Sequence, residues 1–148
     1  MIHAFLLVHA TTTLVLATVM WVVQVTVVPR LAGATPQAWP RHASLHRRIF
    51  RWLFWPVVTV EALSGIGIAI LQPPGIPAWL HALNLGLICT AWCTTLVIRA
   101  RMGHGPVARY NPAGFHHYAR LNWIRVGVWT CRSGIVVAML RLAATARG

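Results

Sequence analysis

Hydrophobic positions in this chain gather into long runs, with arginines set between them. The runs are about Met1–Val28, Leu53–Leu71, Trp79–Ile98 and Trp123–Leu140. Each is close to the ~20 residues that a helix needs to cross a ~30 Å hydrocarbon core. Four spanning helices are the economical reading, so the predicted fold class is all-α. The expected architecture is a single membrane domain, residues 1–148, built as an up-down four-transmembrane-helix bundle. The first run is too long for the core of a signal peptide and lacks a charged leader, so no cleavage is expected.

The segments between the runs carry their own signals. Pro40-Arg-His-Ala-Ser-Leu-His-Arg-Arg-Ile-Phe-Arg-Trp-Leu53 reads as a short amphipathic helix, lying at the interface or leading straight into the second span. Gly103, Gly105, Pro106 and Asn111-Pro-Ala-Gly114 are turn chemistry, with a helix start near Phe115. Gly65 and Ala69 form a small-xxx-small pair that allows close helix approach. Cys89, Cys93 and Cys131 fall inside spans, where small apolar packing is their ordinary role and a disulfide framework is not expected.

Charge changes the picture less than its size suggests. The net charge is +12, from 13 cations that are all arginine and one acid, in a chain that is 57% hydrophobic. A nucleic-acid binder would gather its basic residues on one solvated face. Here Arg30, Arg41, Arg47, Arg48 and Arg51 lie between the first and second spans, and Arg99, Arg101, Arg109 and Arg120 between the third and fourth. Those two connections share one side, and Gln72-Pro-Pro-Gly-Ile-Pro-Ala78 on the other has no arginine. The positive-inside rule then makes both basic loops cytoplasmic and both termini external, in a cell (inner) membrane, with Arg141 and Arg147 opposing weakly. Trp52, Trp55 and Trp123 fall at the inner interface and Trp79 at the outer one. Anionic phospholipids on the cytoplasmic face are the expected partners of the basic loops, and nucleic acid is not.

Composition also removes chemistries. Glu61 is the only acidic side chain, which excludes paired-carboxylate glycosidases, aspartic-protease dyads, carboxylate-bridged di-iron sites and EF-hand loops. The absence of lysine excludes side-chain Schiff bases.

Ionisable groups at membrane depth are costly and point to function by default. Glu61 lies roughly 12 Å, and Arg132 roughly 14 Å, from the cytoplasmic edge at ~1.5 Å per residue. An ion pair between the second and fourth spans is therefore natural, either to fix helix register or to handle protons or a ligand. Asn122, Asn84 and Gln24 are candidates to extend the network, while Arg125, near the inner edge, is placed to snorkel to water or lipid phosphate. On the outer half, His9 and His81 are candidate axial ligands for a haem b, with His3 nearby. On the cytoplasmic side, His42 and His46 have helical i,i+4 metal-ligand spacing, with His116-His117 a second pair and His104 between. That set faintly resembles the His-box arrangement of membrane fatty-acid hydroxylases and desaturases, but the third box is missing and Arg41, Arg47 and Arg48 oppose a dication.

The ordered landmarks are Trp21-Val-Val-Gln24 with Pro29-Arg-Leu31, His46-Arg-Arg-Ile49, Pro56 before Glu61, and Trp92-Cys-Thr-Thr95 ahead of Arg99. His117, Leu121-Asn-Trp-Ile-Arg125, Trp129 and Arg132 complete them. Together they resemble a family of small four-helix bacterial integral membrane proteins of unknown function, over nearly the whole chain. The resemblance implies a fold and a location but no activity. The first span is also similar, through a histidine, a later tryptophan and a terminal Pro-Arg, to haem-binding HemJ-type protoporphyrinogen oxidases and related copper-resistance membrane proteins. Leu14 stands where those proteins carry their histidine. Two functions stay open. One is a non-catalytic accessory subunit packed beside other membrane subunits or a second copy of itself. The other is a small haem- or metal-dependent redox enzyme acting on a lipophilic substrate, with Glu61 handling protons.

Overall fold

The computed structural model describes residues 2–101, 110 and 112–146, with side chains at 3–97, 110 and 115–146. His104, Arg109, Arg147 and the turn residues Gly103, Gly105, Pro106 and Asn111 lie outside the described residues. The helices in chain order are α1 (Ile2–Val22), a π-helical turn Val23–Val27, α2 (Val28–Ala32), α3 (Trp39–Ile49), a second π turn Phe50–Phe54, α4 (Trp55–Leu71), α5 (Ala78–Arg101) and α6 (Pro112–Thr145). They form four rods, each long and apolar enough to cross a membrane, and no strand occurs among the described residues.

The rods exceed the apolar runs. The first continues to Ala32, the second begins at Trp39 rather than Leu53, and the fourth at Pro112 rather than Trp123. The amphipathic segment thus leads straight into the second span. Its apolar face (Trp39, Ala43, with His46) packs with Val27, Leu31, Phe115 and Tyr118, which extends the bundle past the hydrophobic stretch. Pro112, Ala113 and Gly114 are helical rather than a turn; Pro112 opens α6, where a missing N–H costs nothing.

Both π turns have the same local cause. Each ends two residues before a proline, with Val28 ahead of Pro29 and Trp55 ahead of Pro56. Proline brings no N–H to the carbonyl four residues back and its ring crowds that carbonyl. The wider i→i+5 turn carries the helix past this point: Val28 N–H donates to the Val23 carbonyl, and Trp55 N–H to the Phe50 carbonyl.

α1 packs on α4 and α6, and α5 packs on the same two helices, so α1–α5 and α4–α6 are the diagonals of a square. Successive rods run antiparallel. At one end Leu6, Ile68, Leu80, Met139 and Ala143 form an apolar layer; Leu16, Met20, Phe54, Val58, Ala91, Val126 and Trp129 form the middle one. The third layer, around Leu31, Trp39, Phe115 and Tyr118, closes the arginine-rich end. Gln72 stops α4 in a left-handed conformation (φ 41°), donating to the Ile68 carbonyl at 3.0 Å, ahead of two prolines. Gly75 (φ 83°) then passes so close to Ala146 that a β-carbon would collide with it, which seats the loop on the end of α6.

Candidate functional site in two polar layers

Between the apolar layers lie two polar ones. The first gathers residues from all four rods. Glu61 on α4 and Arg132 on α6 form an ion pair with neither side chain exposed. The Arg132 guanidinium also lies 4.7 Å from the centre of the Trp129 ring. His9 on α1 reaches in from the other side: its Nδ1 is 3.1 Å from Ser64 Oγ, 3.2 Å from the Glu61 carbonyl and 3.7 Å from Glu61 Oε1. Asn84 on α5 donates through Nδ2 to His9 Nε2 at 3.0 Å. With Nε2 accepting, the ring proton sits on Nδ1 and is donated to Ser64 and the Glu61 carbonyl. The Ser64 hydroxyl in turn donates to the Glu61 carbonyl at 2.9 Å.

These contacts span both diagonals of the square. Glu61–Arg132 ties α4 to α6 and His9–Asn84 ties α1 to α5, crossing at the bundle axis. In a bilayer the hydrophobic effect does not press helices together, so packing and polar contacts of this kind set the assembly. Gly65 makes the crossing possible. A β-carbon there would lie 2.5 Å from Ile88 Cδ1 and 2.9 Å from His9 Cε1. Ala69, the other half of the small pair, is half-buried.

The second layer lies nearer the arginine-rich end. Asn122 Nδ2 donates to Gln24 Oε1 at 2.7 Å, and Arg125 Nη1 donates to Asn122 Oδ1 at 3.4 Å. Gln24 sits in the first π turn, and Arg125 lies over Phe50 and Phe54 of the second, at 5.5 and 5.3 Å. His46 stacks on Phe50 (4.5 Å between centroids) and shares a hydrogen bond with Tyr118 Oη at 3.1 Å. The expected snorkelling of Arg125 does not occur. It is 2% exposed, because α3 and its π turn fold over the position that would otherwise open to lipid head groups. Nor do the amides form one network. Asn84 joins the Glu61 layer through His9, whereas Asn122 and Gln24 join Arg125, since ten residues along α6 place Asn122 about 15 Å from Arg132.

The remaining histidines are dispersed. His81 is 5% exposed, one turn before Asn84 on α5, and neither ring nitrogen has a hydrogen-bond partner among the described residues. Both nitrogens of His9 already have partners, so axial ligation through Nε2 would require it to release Asn84. His42 is half-exposed and His46 is turned toward Tyr118; His116 and His117 are exposed beside Arg120 and Trp123 in a surface recess. No group of three or more His, Cys, Asp or Glu side chains placed to hold a metal occurs among the described residues. The three cysteines face outward rather than packing inside. Trp52, Trp79 and Trp123 are exposed, and Trp21 Nε1 donates to Thr130 Oγ1 at 3.0 Å.

Sequence reasoning missed the union of His9 with Glu61. Depth counted from the opposite edge carries that signal: Glu61 is ten residues from the end of α4, roughly 15 Å, and His9 sits at similar depth on α1. Ser64, one turn beyond Glu61, shares its face by helical spacing alone.

Comparison with protein families, curated proteins and solved structures returns no match for this chain.

Proposed function

We propose that the chain is a multi-pass protein of a bacterial inner membrane and serves as a non-catalytic subunit or accessory protein of a larger membrane complex. One observation carries this reading: the Glu61 layer is shut away from the surface and ties all four rods together. His9, Glu61, Ser64, Asn84 and Arg132 come from all four rods, none is more than 4% exposed, and they serve one another across both diagonals. A buried polar crossing of this kind fixes which helix faces which, and at what height. The outer surface it holds in place is apolar and aromatic, with Trp79, Leu83, Leu96 and Val97 on α5 and Trp123 and Ile124 on α6. The arginine-rich end faces the cytoplasm by the positive-inside rule, where α3 meets anionic phospholipid. The landmark resemblance to small four-helix bacterial membrane proteins fits the same picture.

The test is purification of the tagged chain in a mild detergent. A colourless, metal-free sample that brings a larger membrane partner with it supports the reading. A Soret band, or stoichiometric iron, copper or zinc, overturns it.

A second reading, a haem- or metal-dependent redox enzyme, is favoured by the unpartnered ring of His81 and by His9 Nδ1 standing 3.7 Å from Glu61 Oε1. Proton handling there has a route: turning the Asn84 amide lets its Oδ1 accept from a protonated His9 Nε2. In that case Glu61→Gln loses activity while folded protein still accumulates. Failure to accumulate belongs to the structural role.

A further inference from the structure

The second layer holds a charge that the chain does not balance. Arg125 is 2% exposed, and its Nε and Nη2 have no hydrogen-bond partner among the described residues. These two atoms form the side-on edge of the guanidinium. Their N–H bonds point the same way and match the paired oxygens of a carboxylate or phosphate. No acidic side chain in this protein is free to fill that edge. Glu61 is the only one, and it is held by Arg132 two turns farther along α6. The rings of Phe50 and Phe54 attract the cation through their faces but accept nothing from the in-plane fork. A buried charge at membrane depth is costly until it is paired.

We propose that Arg125 anchors a binding site for an oxyanion, the carboxylate or phosphate head of a membrane amphiphile entering from the arginine-rich end. The surroundings suit such a head. Asn122, held by Gln24, fixes the guanidinium through Nη1 and leaves the fork free. Arg120 is exposed five residues earlier on α6, about 8 Å along the axis. Exposed Arg48 precedes, and exposed Arg51 lies within, the turn that carries Phe50 and Phe54. Phe54, Trp55, Val58, Trp92 and Trp129 line a narrow apolar crease between α4, α5 and α6, which an alkyl tail would have to widen. This inference is independent of the role assigned to the Glu61 layer.

The experiment titrates delipidated protein in a neutral detergent and follows its thermal midpoint. The probes are dodecyl phosphate, laurate, inorganic phosphate and dodecanol. A saturable rise with dodecyl phosphate or laurate, and none with dodecanol, is expected. Arg125→Lys keeps the charge but loses the fork, so its apparent affinity should fall roughly tenfold or more. Arg141→Gln, an exposed change at the far end of α6, should leave affinity within about twofold. An equal response to inorganic phosphate assigns the oxyanion to a free anion rather than a lipid. The site is overturned if no oxyanion gives a saturable rise, or if R125K and wild type respond alike. Should R125K not fold, native mass spectrometry of the wild type decides: one retained oxyanion supports the site, and none overturns it.

Discussion

Two arginines on one face of α6, seven residues apart and equally buried, are neutralised in different ways. Arg132 meets a carboxylate, Glu61, with His9 behind it. Arg125 meets two aromatic faces and one amide oxygen. The helix positions are equivalent, since seven residues return to nearly the same face. The partners differ because the sequence contains a single acid, and α4 delivers it to the upper site only. Both guanidiniums keep two nitrogens without a hydrogen-bond partner among the described residues, so the contrast lies in charge: Arg132 has its counterion within the chain and Arg125 has none. The first suits a lock between helices, the second a ligand.

The sharpest way to break this comparison is to remove Glu61. Glu61→Gln or Glu61→Ala leaves Arg132 buried without its anion, and losing one partner of a buried pair costs about 3–5 kcal/mol. Unfolding in mixed micelles should show a loss of that size, and the double variant Glu61→Gln/Arg132→Met should recover most of it. If the double variant is no more stable than the single, the pair is not the lock described. Next in size is Gly65→Val. Its β-carbon would press on Ile88 and His9, and overpacking of this type costs about 1–3 kcal/mol. The same unfolding assay should show it, and a truncating change at Ile88 should relieve part of the loss. A smaller effect is expected at the other arginine. Arg125→Met orphans no acid, so it loses the aromatic contacts and one hydrogen bond, about 1–2 kcal/mol. A loss as large as that of E61Q would erase the distinction between the layers. Smallest is Tyr118→Phe, which removes one hydrogen bond to His46, about 1 kcal/mol.

Much of the frame was legible in the residues. Four apolar runs gave four rods, and equal depth from one edge paired Glu61 with Arg132. The extent of the rods was only partly legible. The 40–53 helix and a helix start near Phe115 were visible, but not whether the former lay apart or ran into the second span. Hydropathy reports where lipid contacts the chain rather than where hydrogen bonding stops. Arginine- and histidine-rich segments can continue a helix beyond an apolar run, as 39–52 does here. Pro29 and Pro56 were visible, but their consequence was not. Whether a proline kinks, ends or widens a helix depends on the neighbours that receive it. The outward-facing cysteines show the same limit: in a bilayer, apolar residues need not turn inward, so polarity does not sort lipid-facing from packed positions.

The sequence by itself determined the all-helical class, the four spans and the scarcity of counterions, because length, hydropathy and a count of acids are local properties. Only the tertiary structure decided which cation receives the one acid, that His9 and Asn84 cross the Glu61–Arg132 diagonal, and that α3 covers Arg125. Those outcomes depend on which faces four antiparallel helices turn to one axis and at what height. That height is set by packing at Gly65 and the two π turns, between residues far apart in the chain.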